Sequence, residues 1–182
     1  MNIINKRTIQ SAVLRRTIMI IAITTIGIGI IFVVLWVFKD TNPIPKDLRT
    51  NLSFSPLVIP LDSIQINSRD YELSKAEDGA QILSYNLEVK NYEVIVSEYV
   101  QPPEFTDITG YRDRFLTNVI AQHATVQTAN GTIYLGTLSQ SNGEQIGVMI
   151  EKGLMVFMRP SAELDEMTWR FIGDRFVIVK GT

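Results

Sequence analysis

Hydrophobic and polar positions divide the chain into unlike stretches. From Thr17 to Phe38 (TIMIIAITTIGIGIIFVVLWVF) there is no polar phase: the stretch holds no charge, no amide and no proline. At about 1.5 Å per residue its helix is roughly 33 Å long, enough to cross a hydrocarbon core about 30 Å thick. A transmembrane helix is therefore predicted over 17–38. Residues 1–16 form a basic tail, residues 39–56 a proline-containing linker, and residues 57–182 one folded domain.

Within that domain the period is mostly that of strands. Leu57 to Asn67 reads as a strand in which Ile64 and Ile66 alternate with polar residues, and a short extended piece follows around Tyr71 to Leu73. Ser68-Arg69-Asp70 and Ala76-Glu77-Asp78-Gly79 read as turns. Gln81 to Val89 and Tyr92 to Val100 form a hairpin across Lys90-Asn91. In its second strand Tyr92, Val94 and Val96 face one way, with Glu93 and Ile95 opposite. Four more strands are predicted as a meander: Ala124 to Ala129, Thr132 to Ser139, Glu144 to Glu151 and Leu154 to Arg159. Their joints are Asn130-Gly131, Ser141-Asn142-Gly143 and Lys152-Gly153, too short for anything but antiparallel pairing.

Two stretches carry a helical period. In Ile108 to Ala121 the residues Ile108, Tyr111, Phe115, Leu116, Val119 and Ile120 share one face. Ser161 to Ile172 has Ser161 placed as a cap, acids in its first turns and Gly173 to close it. Leu164, Met167, Phe171 and Trp169 are expected to pack inward. Phe176 to Lys180 is a last short strand. The expected fold is a single N-terminal transmembrane helix followed by an α+β domain, an antiparallel sheet of about six to eight strands with two helices packed on it.

Charge orients this arrangement. Lys6, Arg7, Arg15 and Arg16 precede the span, and no acid does; such a tail is expected in the cytoplasm, with the domain outside. The flanks of the anchor are Arg15, Arg16, Trp36, Phe38 and Lys39, the two aromatics at the level of an interfacial belt. A cleaved signal peptide has a shorter apolar run and small residues at its end; this run ends in Leu35-Trp36-Val37-Phe38, which favours a retained signal anchor. Thr25 and Gly29 form a small-xxx-small pair, a candidate face for a helix-mediated dimer.

Beyond residue 38 the balance is 13 − 19 = −6, since all 19 acids and 13 of the 17 basic residues lie there. An acidic domain has no basic surplus to replace phosphate counterions, so no nucleic-acid partner is expected. There is no cysteine, which excludes disulfides and thiolate chemistry and fits a bacterial envelope. The single histidine, His123, sits in no catalytic motif. No catalytic, metal or cofactor-binding residues are assigned. The candidate binding surface is Tyr111, Arg112 and Arg114, where aromatics and arginines interleave, with Met155 and Phe157 from the apolar run Leu154 to Met158.

These patterns lead to a single-pass membrane protein, the bilayer held through residues 17–38, whose extracytoplasmic domain binds a protein partner in the envelope without covalent chemistry. The alternative is a sensor or ligand-binding domain for a small apolar or cell-wall molecule, which requires a cavity between sheet and helices. An envelope hydrolase is the third and weakest expectation, requiring two converging carboxylates.

Overall fold

The computed structural model describes residues 42–60, 66–138 and 143–179. The 17–38 span, the basic tail and the flanks Arg15, Arg16, Trp36, Phe38 and Lys39 lie outside the described residues. Among those described, no helix is long and apolar enough to cross a membrane.

The described chain is an α+β unit. In order it runs α1 (Lys46–Arg49), β1 (Leu57–Val58), β2 (Ile66–Lys75), β3 (Gln81–Val89), β4 (Tyr92–Val100), α2 (Glu104–Asp107), α3 (Tyr111–Val119), β5 (Ile120–Thr128), β6 (Gly131–Leu138), β7 (Gln145–Glu151), β8 (Leu154–Pro160), α4 (Glu166–Gly173) and β9 (Val177–Ile178). Seven strands form one sheet in the order β2-β3-β4-β8-β7-β6-β5, and β1 pairs β9 in a second, two-stranded sheet. All of these pairings are antiparallel. Two meanders thus meet where β4 pairs β8, and α2 and α3 carry the chain from β4 to the far edge at β5.

Turn chemistry explains the hairpins. Lys90 and Asn91 both have positive φ, 49° and 74°, the left-handed pair that a two-residue turn needs to follow the strand twist. Lys152 and Gly153 do the same at 54° and 78°. The Ser68-Arg69-Asp70 turn signal is instead an irregularity inside β2: the register with β3 shifts between Arg69 and Glu72, and Asp70 has φ 52°. Extended pairing on both sides of it absorbs the local break.

The first helix is shorter than its period predicts. α3 ends at Val119, and Ile120 opens β5 opposite Leu138. Both Val119 and Ile120 are β-branched and pack as well on a strand as on a helix, so strand pairing decides the boundary. α4 starts at Glu166 rather than at Ser161. Asp165 is its cap, accepting the Thr168 N–H at 2.6 Å, and hydrogen bonds from Thr168 hold its carboxyl below the usual carboxylate range. Ser161 instead extends the β4 pairing, its N–H donating to the Glu93 carbonyl at 2.7 Å. Trp169 and Ile172 face the core, whereas Met167, expected inward, is 71% exposed and Phe171 only half-buried.

Around β7 and β8 the sheet is covered on both faces. Along β8, Leu154, Val156 and Met158 belong to one apolar cluster and Met155 to the other, with Phe157 packed against it. The larger cluster takes Trp169 and Ile172 from α4, Leu57 and Val58 from β1, and Phe176. Ile44 and Phe54, from the proline-containing stretch before β1, are buried in it as well. The smaller cluster puts Leu116 of α3 over Ile146, Val148 and Ile150 of β7.

Candidate functional site

The smaller cluster ends in a chain of aromatic rings on the α3 face. Phe105 of α2 meets Tyr111 at 5.3 Å and Phe115 at 5.0 Å between centroids, both edge-on. Phe115 meets Phe157 of β8 at 6.5 Å, and Phe157 stacks on Tyr99 of β4 at 5.7 Å with the planes 5° apart. All five rings are half-buried. Burial, and then the charge of Asp78, push the Tyr99 phenol up to about 12. Across α3, Arg112 lies with its guanidinium carbon 5.4 Å from the Tyr134 ring and donates to the Tyr134 hydroxyl at 3.1 Å. Its Nε is buried and has no hydrogen-bond partner among the described residues.

The candidate surface read from sequence is therefore partly assembled. Tyr111 and Phe157 share the ring chain, and Met155 is buried beneath it. Arg112 is held by Tyr134 on the other flank. Arg114 is exposed and stands apart from these contacts. Phe105 and Tyr99 were not among the candidates, because neither lies at the helical or arginine-interleaved spacing that singled out the others.

Next to the rings no cover for the sheet is found among the described residues, where the cluster under α3 draws nothing from β2 or β3. On this face β3 and β4 present the cross-strand pairs Ser84–Ser97, Asn86–Ile95 and Glu88–Glu93, and the two serine hydroxyls lie 3.1 Å apart. Ser97 is directly opposite Phe157, and Ile95, 38% exposed, opposite Arg159. An open depression of about 320 Å³ lies here, its acids being Asp70, Glu88 and Glu93. Among the described residues no group of His, Asp and Glu is placed to hold a metal ion.

The opposite face holds a carboxyl that the sequence reading passed over. Glu98 is fully buried in β4. Its Oε2 accepts the Leu57 N–H at 2.8 Å, and its Oε1 lies 2.8 Å from the Tyr85 hydroxyl. That hydroxyl is also 2.8 Å from the Leu57 carbonyl oxygen. Burial raises the Glu98 carboxyl to about 8 against the opposing pull of its hydrogen bonds, and burial raises the Tyr85 phenol as well. The strand period held the clue: Glu98 continues the phase of Val94 and Val96, a charge on the apolar side of the strand.

No protein family, curated protein or solved structure matches the chain.

Proposed function

We propose that this protein is anchored in the cell membrane by residues 17–38 and acts outside the cytoplasm by non-covalent binding to a protein partner. The binding face is the half of the sheet left uncovered among the described residues, together with the aromatic ledge beside it. One observation carries this reading: half-exposed Tyr99 and Phe157 run directly into exposed Ile95 and a polar strand surface. Aromatic anchors inside a polar rim are the composition of protein interfaces. Asp70, Glu88 and Glu93 on the rim favour a partner segment that carries lysine or arginine.

A photo-crosslinking residue in place of Ile95 tests it. In membranes it should trap one protein reproducibly, while the same residue in place of exposed Met167 on α4 should not. No adduct at Ile95, or the same adducts at both positions, overturns the reading. Orientation is tested by protease added to spheroplasts, which should digest the domain; protection refutes the extracytoplasmic placement.

A further inference from the structure

Three hydrogen-bonding groups close a ring inside the larger core: the Glu98 carboxyl, the Tyr85 hydroxyl and the Leu57 peptide. Counting protons decides its state. Tyr85 has one hydrogen, yet its oxygen lies 2.8 Å from two acceptors, the Leu57 carbonyl and Glu98 Oε1. With Glu98 ionised, one of those acceptors is left buried without a donor. With Glu98 protonated every group is satisfied. Oε1–H donates to the Tyr85 oxygen, Tyr85 donates to the Leu57 carbonyl, and the Leu57 N–H donates to Oε2.

The surroundings favour the neutral form. β3 contributes Tyr85, and behind it Tyr71 of β2 lies 5.1 Å away, ring to ring. β8 sets Val156 opposite Glu98, and β1 contributes the Leu57 peptide. Besides burial, the groups acting on the carboxyl are the Tyr85 hydroxyl and the Leu57 N–H; no cation is among them. Leu57 has its N–H and C=O turned to this ring, while the neighbouring Pro56 carbonyl accepts from Val179 N–H at 2.9 Å beyond β9. A two-residue strand is thus held on one side by β9 and on the other by Glu98 and Tyr85.

We infer that Glu98, Tyr85 and Leu57 form a proton-operated latch on β1: the neutral carboxyl holds the strand to the sheet, and opening of β1 releases the proton to water. β1 is the first strand among the described residues, so the latch makes its hold on the sheet depend on pH. The carboxyl is at about 8 when latched and returns to the ordinary range near 4.5 when opened. Opening is therefore disfavoured at low pH. It becomes easier by up to about tenfold per pH unit between those values and levels off above the upper one.

Amide hydrogen exchange on the full chain in detergent, corrected for intrinsic exchange, tests the latch between about pH 5 and pH 9. Protection at Leu57 should fall with that slope, and it should be lost through a smaller opening than the one that exposes Val148 in the middle of β7, so that Leu57 is the less protected of the two throughout the window. Glu98→Gln supplies an amide that donates to Tyr85 and accepts from Leu57 without titrating, and it should leave Leu57 protected at every pH. A flat Leu57 profile in the native chain overturns the latch. So does equal protection at Leu57 and Val148, which would mean that β1 opens only with the whole domain, or an unchanged slope in Glu98→Gln. If Glu98→Gln does not fold, the Leu57 slope and the gap between Leu57 and Val148 in the native chain decide.

Discussion

Gly147 of β7 lies directly beneath the indole of Trp169. A Cβ on Gly147 would stand 2.8 Å from Cζ3 and 2.9 Å from Cη2 of that ring. The same strand also holds the indole through Gln145, since its N–H donates to Gln145 Oε1 at 3.3 Å and that oxygen also accepts the Leu164 N–H at 2.9 Å. α4 therefore sits as close to the sheet as the missing side chain allows. Gly173 plays a similar part at the other end, where a Cβ would meet Thr128 Cγ2 at 2.5 Å.

Gly147→Ala should destabilise the chain by about 1–3 kcal/mol, the usual cost of overpacking. Trp169→Phe removes the ring atoms that clash. Urea titration followed by circular dichroism should therefore show the double variant more stable than the sum of the two single losses predicts. Strict additivity contradicts the packing described.

Stability should fall as pH rises between about 4.5 and 8. The folded carboxyl of Glu98 is at about 8 and the unfolded one near its ordinary 4.5, so the folded chain holds one proton more across that window. The contribution is complete below the unfolded value and lost as pH rises through the folded one, at no more than about 1.4 kcal/mol per pH unit. Denaturation curves at several pH values should show this slope in the native chain and not in Glu98→Gln.

Tyr85→Phe should cost about 1–3 kcal/mol, because it leaves the Leu57 carbonyl and Glu98 Oε1 without their shared hydroxyl. Urea midpoints measure it. A loss near zero shows that the hydroxyl does not hold β1.

Leu116 is the buried residue of α3. Leu116→Ala should cost about 2–5 kcal/mol and loosen α3 from Ile146, Val148 and Ile150. Binding of a hydrophobic dye in the native baseline should rise, since those side chains lose their cover.

Phe157→Ala should bring the Tyr99 phenol down from about 12 towards the ordinary tyrosine value, because the stacked ring is part of what buries it. The Tyr99 Cζ resonance followed against pH reports this directly. An unmoved midpoint shows that Phe157 does not shield the phenol.

Local pattern made much of the fold legible. Glycine and asparagine turns at short spacing placed β6, β7 and β8 to within a residue or so and fixed their antiparallel pairing, but β5 begins at Ile120, four residues before the expected Ala124. The unbroken apolar run Leu154 to Met158 was read as part of a binding surface, whereas Met155 is buried in the smaller cluster. Helix phase was less legible. α4 begins after the Asp165 cap rather than at Ser161, and it is Trp169 and Ile172, not Met167, that face the core, a phase set by packing against β7 rather than by the local period.

The sequence by itself determined an α+β unit with antiparallel pairing, an acidic balance and an uncharged N-terminal stretch, because periodicity, turn chemistry and charge are local properties. Only the tertiary structure decided that Phe105, Phe115, Phe157 and Tyr99 form one ledge, and that Glu98 closes a ring with Tyr85 and Leu57. Those groups come from separate elements, joined by strand order and by which face each helix covers. Contacts of that range depend on how the two meanders meet at β4 and β8, which no short window of residues encodes.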